Sequence, residues 1–303
     1  MKRQLLATEF FSTPWALMPE RLSAFTAVIN RWQAGGMADN ETMQAVHADA
    51  QAAAARRAAA PAAGGIAVIP LYGIVTQRGN MADDVSGPGS TSTQKFTAAL
   101  RAAIADSAVA QILIDIDSPG GSVYGVQELA AEIIQARSAK PIVAIANSLC
   151  ASAAYWVGCS ASQLYVSPGG EVGSIGVYQA HQDMSKALAD DGVNVTFISA
   201  GKYKTEGNPT GPLTAEAQAF MQSRVDDYYA AFIKGVAKGR NVGIDAVRNG
   251  MGQGRVLGAD AALAENMVNG IATFDQVIKK MQASAKQPVN RLAAMQREVT
   301  ILS

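Results

Sequence analysis

An α/β fold is predicted for this chain, and three observations predict it. From Ile66 onward, short apolar runs of strand length alternate with stretches in which apolar residues recur every three or four positions, the pattern of strands interleaved with helices. Of the 303 residues, 49% are hydrophobic and 17% charged, which supplies one large core and is too apolar for a disordered chain. The longest uncharged stretch, residues 141–170, is long enough to cross a bilayer, but Asn147, Ser148, Ser152, Ser160, Ser162 and Gln163 interrupt it. Its strongest apolar run, 142–146, has the length of a strand, so the stretch reads as a buried strand followed by a buried small-residue helix.

The elements follow in order. The opening MKRQLLATEFFSTPWALMPE meets Glu9 and a proline before any useful apolar run, so no signal peptide is expected. Residues 19–33 predict an amphipathic helix with Leu22, Phe25, Ile29 and Trp32 on one face, and residues 1–49 are assigned to an N-terminal arm. Ten alanines among residues 50–63, followed by Gly64 and Gly65, make 50–65 a linker without the side chains to build a core. A linker of this kind is accessible to proteolysis.

The main domain is placed at 66–283. IAVIPLYGIV opens it as a strand, and Phe96, Leu100 and Ile104 mark a helix at 93–107. A strand at 109–117 ends in Ser118-Pro119-Gly120-Gly121 and leads into a helix at 123–136, after which the strand at 142–146 leads into a helix from Ser152. Further strands are expected at 163–166, 174–179 and 193–199, with a helix at 184–190. Thr214 caps a long helix reaching about Gly239, followed by short helices at 244–249 and 259–265, a strand at 270–273 and a last helix. Residues 284–303 read as a polar tail.

Charge and composition exclude several functions. With 25 Lys+Arg against 25 Asp+Glu, no net field draws the chain to nucleic acid or to anionic lipid, so neither is expected as a partner. Two cysteines, Cys150 and Cys159, and two histidines, His47 and His181, fit a reducing compartment and make a zinc site unexpected.

Three segments carry the candidate chemistry. A strand that stops at SPGG leaves backbone N–H groups able to hold a developing oxyanion, although an ordinary tight turn would look the same. Ser152 sits among alanines that leave its hydroxyl open to a carbonyl, although a capping serine is its ordinary reading. A serine needs a base, and His181, Lys202 and Lys204 are the candidates. A lysine serves at neutral pH only where burial lowers its pKa by about 3 units, which the uncharged wall of residues 141–170 would favour. No Ser-His-Asp order is identifiable, and a lysine in a polar loop is ordinarily a solvated charge.

Taken in order, DSPGGS, ASAAYW, GSIGV and GKYKTEGNP make this chain resemble the protease IV (signal peptide peptidase A) family of serine peptidases, over about residues 66–280. Within it, the GSIGV stretch followed by a histidine and a lysine loop ending in Glu-Gly-Asn-Pro is similar to the phage prohead proteases of the lambdoid minor capsid protein C type. The resemblance implies Ser152 as nucleophile, Lys204 rather than Lys202 as general base, and Ser174 as the serine that holds the lysine amine. It also implies Gly121 and Ala153 as the oxyanion-hole donors, and neither cofactor nor metal. The cellular enzymes commonly have Ser-Gly-Gly where this chain has Ser152-Ala153-Ala154, whose two added methyl groups are expected to narrow the pocket, and a membrane anchor of the cellular kind is not expected.

The implied fold is the Clp protease/crotonase type built of ββα units, one domain assembling as a homo-oligomeric ring in which serine and lysine come from adjacent protomers. The implied partners are scaffold, capsid or portal proteins as substrates, in the cytoplasm of a bacterial host or within the prohead. Two rivals remain: an acyl-CoA hydratase or isomerase of the same fold, which would want catalytic carboxylates in its cleft, and an idle minor capsid structural protein.

Overall fold

The computed structural model describes residues 13–19, 65–78 and 90–286. The chain runs β1 (Trp15–Leu17), β2 (Ile66–Tyr72), β3 (Ile74–Thr76), β4 (Ser90–Ser92), α1 (Thr93–Ala105), β5 (Gln111–Ser118), β6 (Gly120–Ser122) and α2 (Val126–Ala136). It continues through β7 (Ile142–Ala151), α3 (Ala153–Gly158), β8 (Gln163–Val166), β9 (Glu171–Gly173), α4 (Ser185–Asp190) and α5 (Ala215–Arg240). The last elements are α6 (Ile244–Asn249), β10 (Val256–Gly258), α7 (Ala259–Ala264), β11 (Gly270–Ile271) and α8 (Phe274–Lys286).

The architecture is mixed α/β with parallel strands at its centre. The apolar runs of β2, β5 and β7 lie side by side in parallel, with Leu113 paired to Val68 on one edge and to Val143 on the other. Such strands are covered on both faces, which is why they read as nearly unbroken apolar runs. One face packs Ile112, Ile114 and Ile116 under α1, α2, α3 and the second half of α5, while the other packs Leu113, Val143 and Ile145 against Val277 and Met281 of α8. β7 changes partner along its length: Val143–Ala146 pair with β8, and Leu149–Ala151 pair with β9. A second sheet of four short strands, in the order β1, β6, β3, β4, stands beyond the carboxyl ends of β2 and β5. Gly73, at φ 64°, is the hinge at which the chain passes from β2 into β3.

Three sequence expectations are corrected. The SPGG segment does not open a helix directly: Gly120–Ser122 form β6, and α2 starts only at Val126, after Gly125 in a left-handed conformation. Residues 174–179 do not make a regular strand, since the ladder lies just before them at Glu171–Gly173 and only Tyr178 bridges, to Trp15. Residues 193–199 are irregular and exposed, Ile198 fully so at 99%, because an alternating Val/Phe pattern makes a strand only where a neighbouring edge accepts its backbone. The helix predicted over 19–33, the linker and the tail beyond 286 lie outside the described residues. The described part of the segment assigned to the arm, 13–19, is integral to the domain through β1.

Candidate active site

Ser152 stands where β7 ends and α3 begins. Its N–H donates to the Gly173 carbonyl at 2.6 Å, prolonging the β7–β9 ladder by one bond, and its carbonyl accepts from Trp156 N–H at 3.0 Å, starting the helix. Serving both elements at once forces φ 56° and ψ −121°, a conformation costing a non-glycine residue about 1–3 kcal/mol. The residue is fully buried, and its Oγ has no hydrogen-bond partner among the described residues. It occupies the cap position of α3, but its side chain makes no capping bond. A buried hydroxyl without a partner costs about another 1–3 kcal/mol, so the turn holds two unfavourable features that packing alone has no reason to keep.

Small residues make this turn possible. Ala153 and Ala154 are fully buried. Opposite them is Gly120, at φ 96°, where an added Cβ would stand 2.8 Å from Ser152 Cβ and 3.0 Å from the Ala151 carbonyl oxygen. At Gly121 an added Cβ would lie 1.9 Å from the Val75 carbonyl oxygen. The glycine pair is therefore a close-packing requirement that brings β6 against the serine. Ser118 fixes the approach: its hydroxyl donates to Gly73 C=O at 2.6 Å and accepts from Gly120 N–H at 3.2 Å. Sequence reasoning quoted Ser118 within its motif and missed this role, although a serine closing a buried strand was the signal available.

Ser174 is next to Gly173, buried, at φ 53°, with its N–H donating to Arg255 C=O at 2.8 Å. Ser152, Ser174, the glycine pair and Ala153 thus gather at the carboxyl ends of neighbouring strands, which is where open α/β sheets place their sites. Lys204 is not gathered there. It lies in the 201–207 loop, its N–H donating to Gly201 C=O at 3.1 Å and its side chain exposed.

The two rival bases are engaged elsewhere. Lys202 Nζ donates to Tyr203 Oη at 2.7 Å and to Glu216 Oε1 at 3.1 Å, contacts that raise its pKa. His181 Nε2 is 3.0 Å from the Asn208 carbonyl, and Asn208 in turn ties Thr205 and Thr210, so the histidine braces the lysine loop. Both thiols are poor nucleophiles: burial pushes Cys150 well up and Cys159 to about 12, and neither is in a disulfide. Among the described residues no cluster of His, Cys, Asp or Glu could hold a metal, and no helix is long and apolar enough to cross a membrane.

A family model described as Peptidase family S49 matches residues 134–288, a stretch that contains Ser152, Ser174 and Lys204 and begins after the glycine pair. The chain is 35% identical over 208 residues to the head-tail preconnector protein GP5 of Enterobacteria phage P21, covering 68% of this chain and 41% of that one. Over 210 residues it is 34% identical to capsid assembly protease C of Escherichia phage lambda, covering 68% of this chain and 47% of the relative. The chain spans less than half the length of either relative. Among solved structures, it is similar to the 1510-N membrane-bound stomatin-specific protease, at 16% identity and TM-score 0.45, over 71% of this chain and 83% of that one.

Proposed function

The chain belongs to peptidase family S49, and from that premise we propose that it is a serine endopeptidase in which Ser152 is the nucleophile and Lys204 the general base. The observation that carries the reading is the Ser152 turn, a buried hydroxyl with no hydrogen-bond partner among the described residues, held in a strained conformation beside two obligatory glycines. In this mechanism the neutral lysine amine takes the Oγ proton and the alkoxide attacks a peptide carbonyl. The N–H groups of Gly121 and Ala153 receive the oxyanion, while Ser174 positions the amine. The protonated amine then donates to the leaving nitrogen, and water releases the acyl group along the reverse path. Neither metal nor cofactor is required.

The exposed lysine loop supports a composite site. Val193, Val195, Phe197, Ile198 and Tyr203, within and just before it in sequence, are between 46% and 99% exposed, and exposed apolar groups of this number suit a protein interface. A homo-oligomeric ring covering these residues would take water from the Lys204 amine and bring it to a neighbour's Ser152. Twice a long strand of the large sheet is followed by short strands of the small sheet and then a helix: β2, β3, β4, α1 and β5, β6, α2. That repetition supports ββα units of the Clp protease/crotonase type. The phage relatives, one named a capsid assembly protease, support a role in capsid maturation. Scaffold, capsid or portal-associated proteins would be the substrates, in the host cytoplasm or the prohead. Intact-mass analysis of such proteins mixed with wild type or Ser152→Ala tests the reading: new termini that need Ser152 support it, and their absence in assembled wild type refutes it.

A further inference from the structure

We infer that the chain is its own first substrate, with residues 14–18 seated in the cleft as a peptide strand and the Ala16–Leu17 bond presented to Ser152. This deepens the endopeptidase reading and rests on it. β1 pairs antiparallel with β6, matching Trp15 to Ser122, Ala16 to Gly121 and Leu17 to Gly120. The flanking bonds run from Met18 N–H to Pro119 C=O at 3.1 Å and from Val123 N–H to Pro14 C=O at 3.4 Å. Antiparallel ladders alternate bonded and non-bonded pairs, so Ala16 and Gly121 are the bonded pair, and the Gly121 N–H is directed at the Ala16 carbonyl. That N–H is the donor assigned above to the oxyanion.

The other edge of the segment is held as well. Trp15 N–H donates to Tyr178 C=O at 2.8 Å and Tyr178 N–H to Trp15 C=O at 3.0 Å. A three-residue strand is thus clamped by main-chain bonds on both sides, as an extended peptide is bound when it is added to a sheet. Trp15, Ala16 and Leu17 are at most 4% exposed. The position relative to the nucleophile follows from Gly120: a Cβ there would stand 2.3 Å from the Ala16 carbonyl oxygen and 2.8 Å from Ser152 Cβ. The carbonyl and the serine therefore converge on one glycine. Ala16 is also small, as are the buried Ala153 and Ala154 that follow the serine.

The reaction balances with water alone. Ser152 Oγ bonds to the Ala16 carbonyl carbon as its proton passes to Lys204, and the carbonyl oxygen carries the charge at Gly121 N–H. The carbon–nitrogen bond to Leu17 then breaks, Lys204 returns the proton to the departing nitrogen, and Leu17 becomes a free amine. Water hydrolyses the Ser152–Ala16 ester, leaving an Ala16 carboxylate and a restored hydroxyl. Until this happens the same backbone groups are unavailable to any other peptide, so the uncut chain is blocked by its own segment.

The test follows full-length wild type and Ser152→Ala by intact mass and N-terminal sequencing, with unfolded casein as an independent substrate. A synthetic peptide of residues 10–22 is assayed in parallel, together with its Ala16→Trp form, so that no result depends on how a core substitution folds. The expected result is a new N-terminus at Leu17 in wild type only, and cleavage of the peptide after Ala16 slowed about tenfold or more by the Trp substitution. Casein cleavage with residues 1–16 retained and the peptide intact overturns the inference and leaves the endopeptidase reading standing. Self-cleavage at other bonds only, such as within 50–63, overturns it in the same way. Loss of both casein and self-cleavage removes the endopeptidase reading and this inference with it.

Discussion

The turn around Ser152 and the loop around Lys204 belong to one proposed chemistry but are built in opposite ways. At the serine every neighbour is buried, backbone bonds hold both sides, and two glycines fix the distance to β6. At the lysine the backbone is braced through Asn208 and His181, yet the side chain faces solvent. On the proposed reading the strained serine is held by a complete core, whereas a desolvated lysine base would need walls that this loop lacks in one chain. Under the proposed chemistry the contrast teaches that one half of the site is built by the fold, and that the other would be completed by assembly.

The sharpest way to break this comparison is to disable each half separately. Ser152→Ala and Lys204→Ala should each reduce cleavage of a protein substrate by about 10⁴-fold or more, measured as initial rate on assembled protein. Mixing the two inactive proteins should restore part of the activity, since some contacts pair an intact serine with an intact lysine. Zero activity in mixtures whose subunits demonstrably exchange would place both residues within one chain.

Gly120→Ala tests whether the buried half is as tightly built as its contacts imply. A Cβ at φ 96°, placed 2.3 Å from Ala16 O and 2.8 Å from Ser152 Cβ, should cost about 2–4 kcal/mol in denaturant unfolding, with activity lost in parallel. Ser118→Ala, which removes the hydroxyl joining Gly73 to Gly120, should cost about 1–3 kcal/mol and lower kcat more than it raises KM. The smallest effects belong to the exposed half. Lys202→Ala should stay within about twofold of wild type at moderate salt, because its partners Tyr203 and Glu216 are themselves exposed. His181→Ala should retain most activity, and a loss equal to that of Lys204→Ala would move the mechanism to histidine.

Elements with a side-chain period were legible in the sequence: β8 and α6 lie where they were expected, and Thr214 caps α5 through its hydroxyl, which accepts from Ala217 N–H at 3.2 Å. The residues around Ser152 and Ser174 were legible only as motifs, because their meaning rests on backbone torsions that apolar periodicity does not encode. β1 and β6 were missed for a related reason. Each has three residues, too few for alternation to register, and each exists only because its backbone finds an edge far away in sequence. The stretch at 193–199 shows the converse, with strand composition but no edge to join among the described residues.

Four residues beyond Ser152, Trp156 stacks on Phe232 of α5 with ring centroids 4.7 Å apart and planes 6° from parallel, and Gly235 leaves no room beneath it, since a Cβ there would meet the indole nitrogen at 2.1 Å. This ties the helix that follows Ser152 to the main hydrophobic core. Thermal inactivation should therefore proceed in two regimes. Warming should first fray the solvent-exposed lysine loop, a loss that cooling reverses, because local openings draw on little of the global stability. The serine's geometry is lost only when the indole leaves its stack, so its disappearance coincides with the cooperative melting of the whole domain and with the change in tryptophan emission that accompanies it.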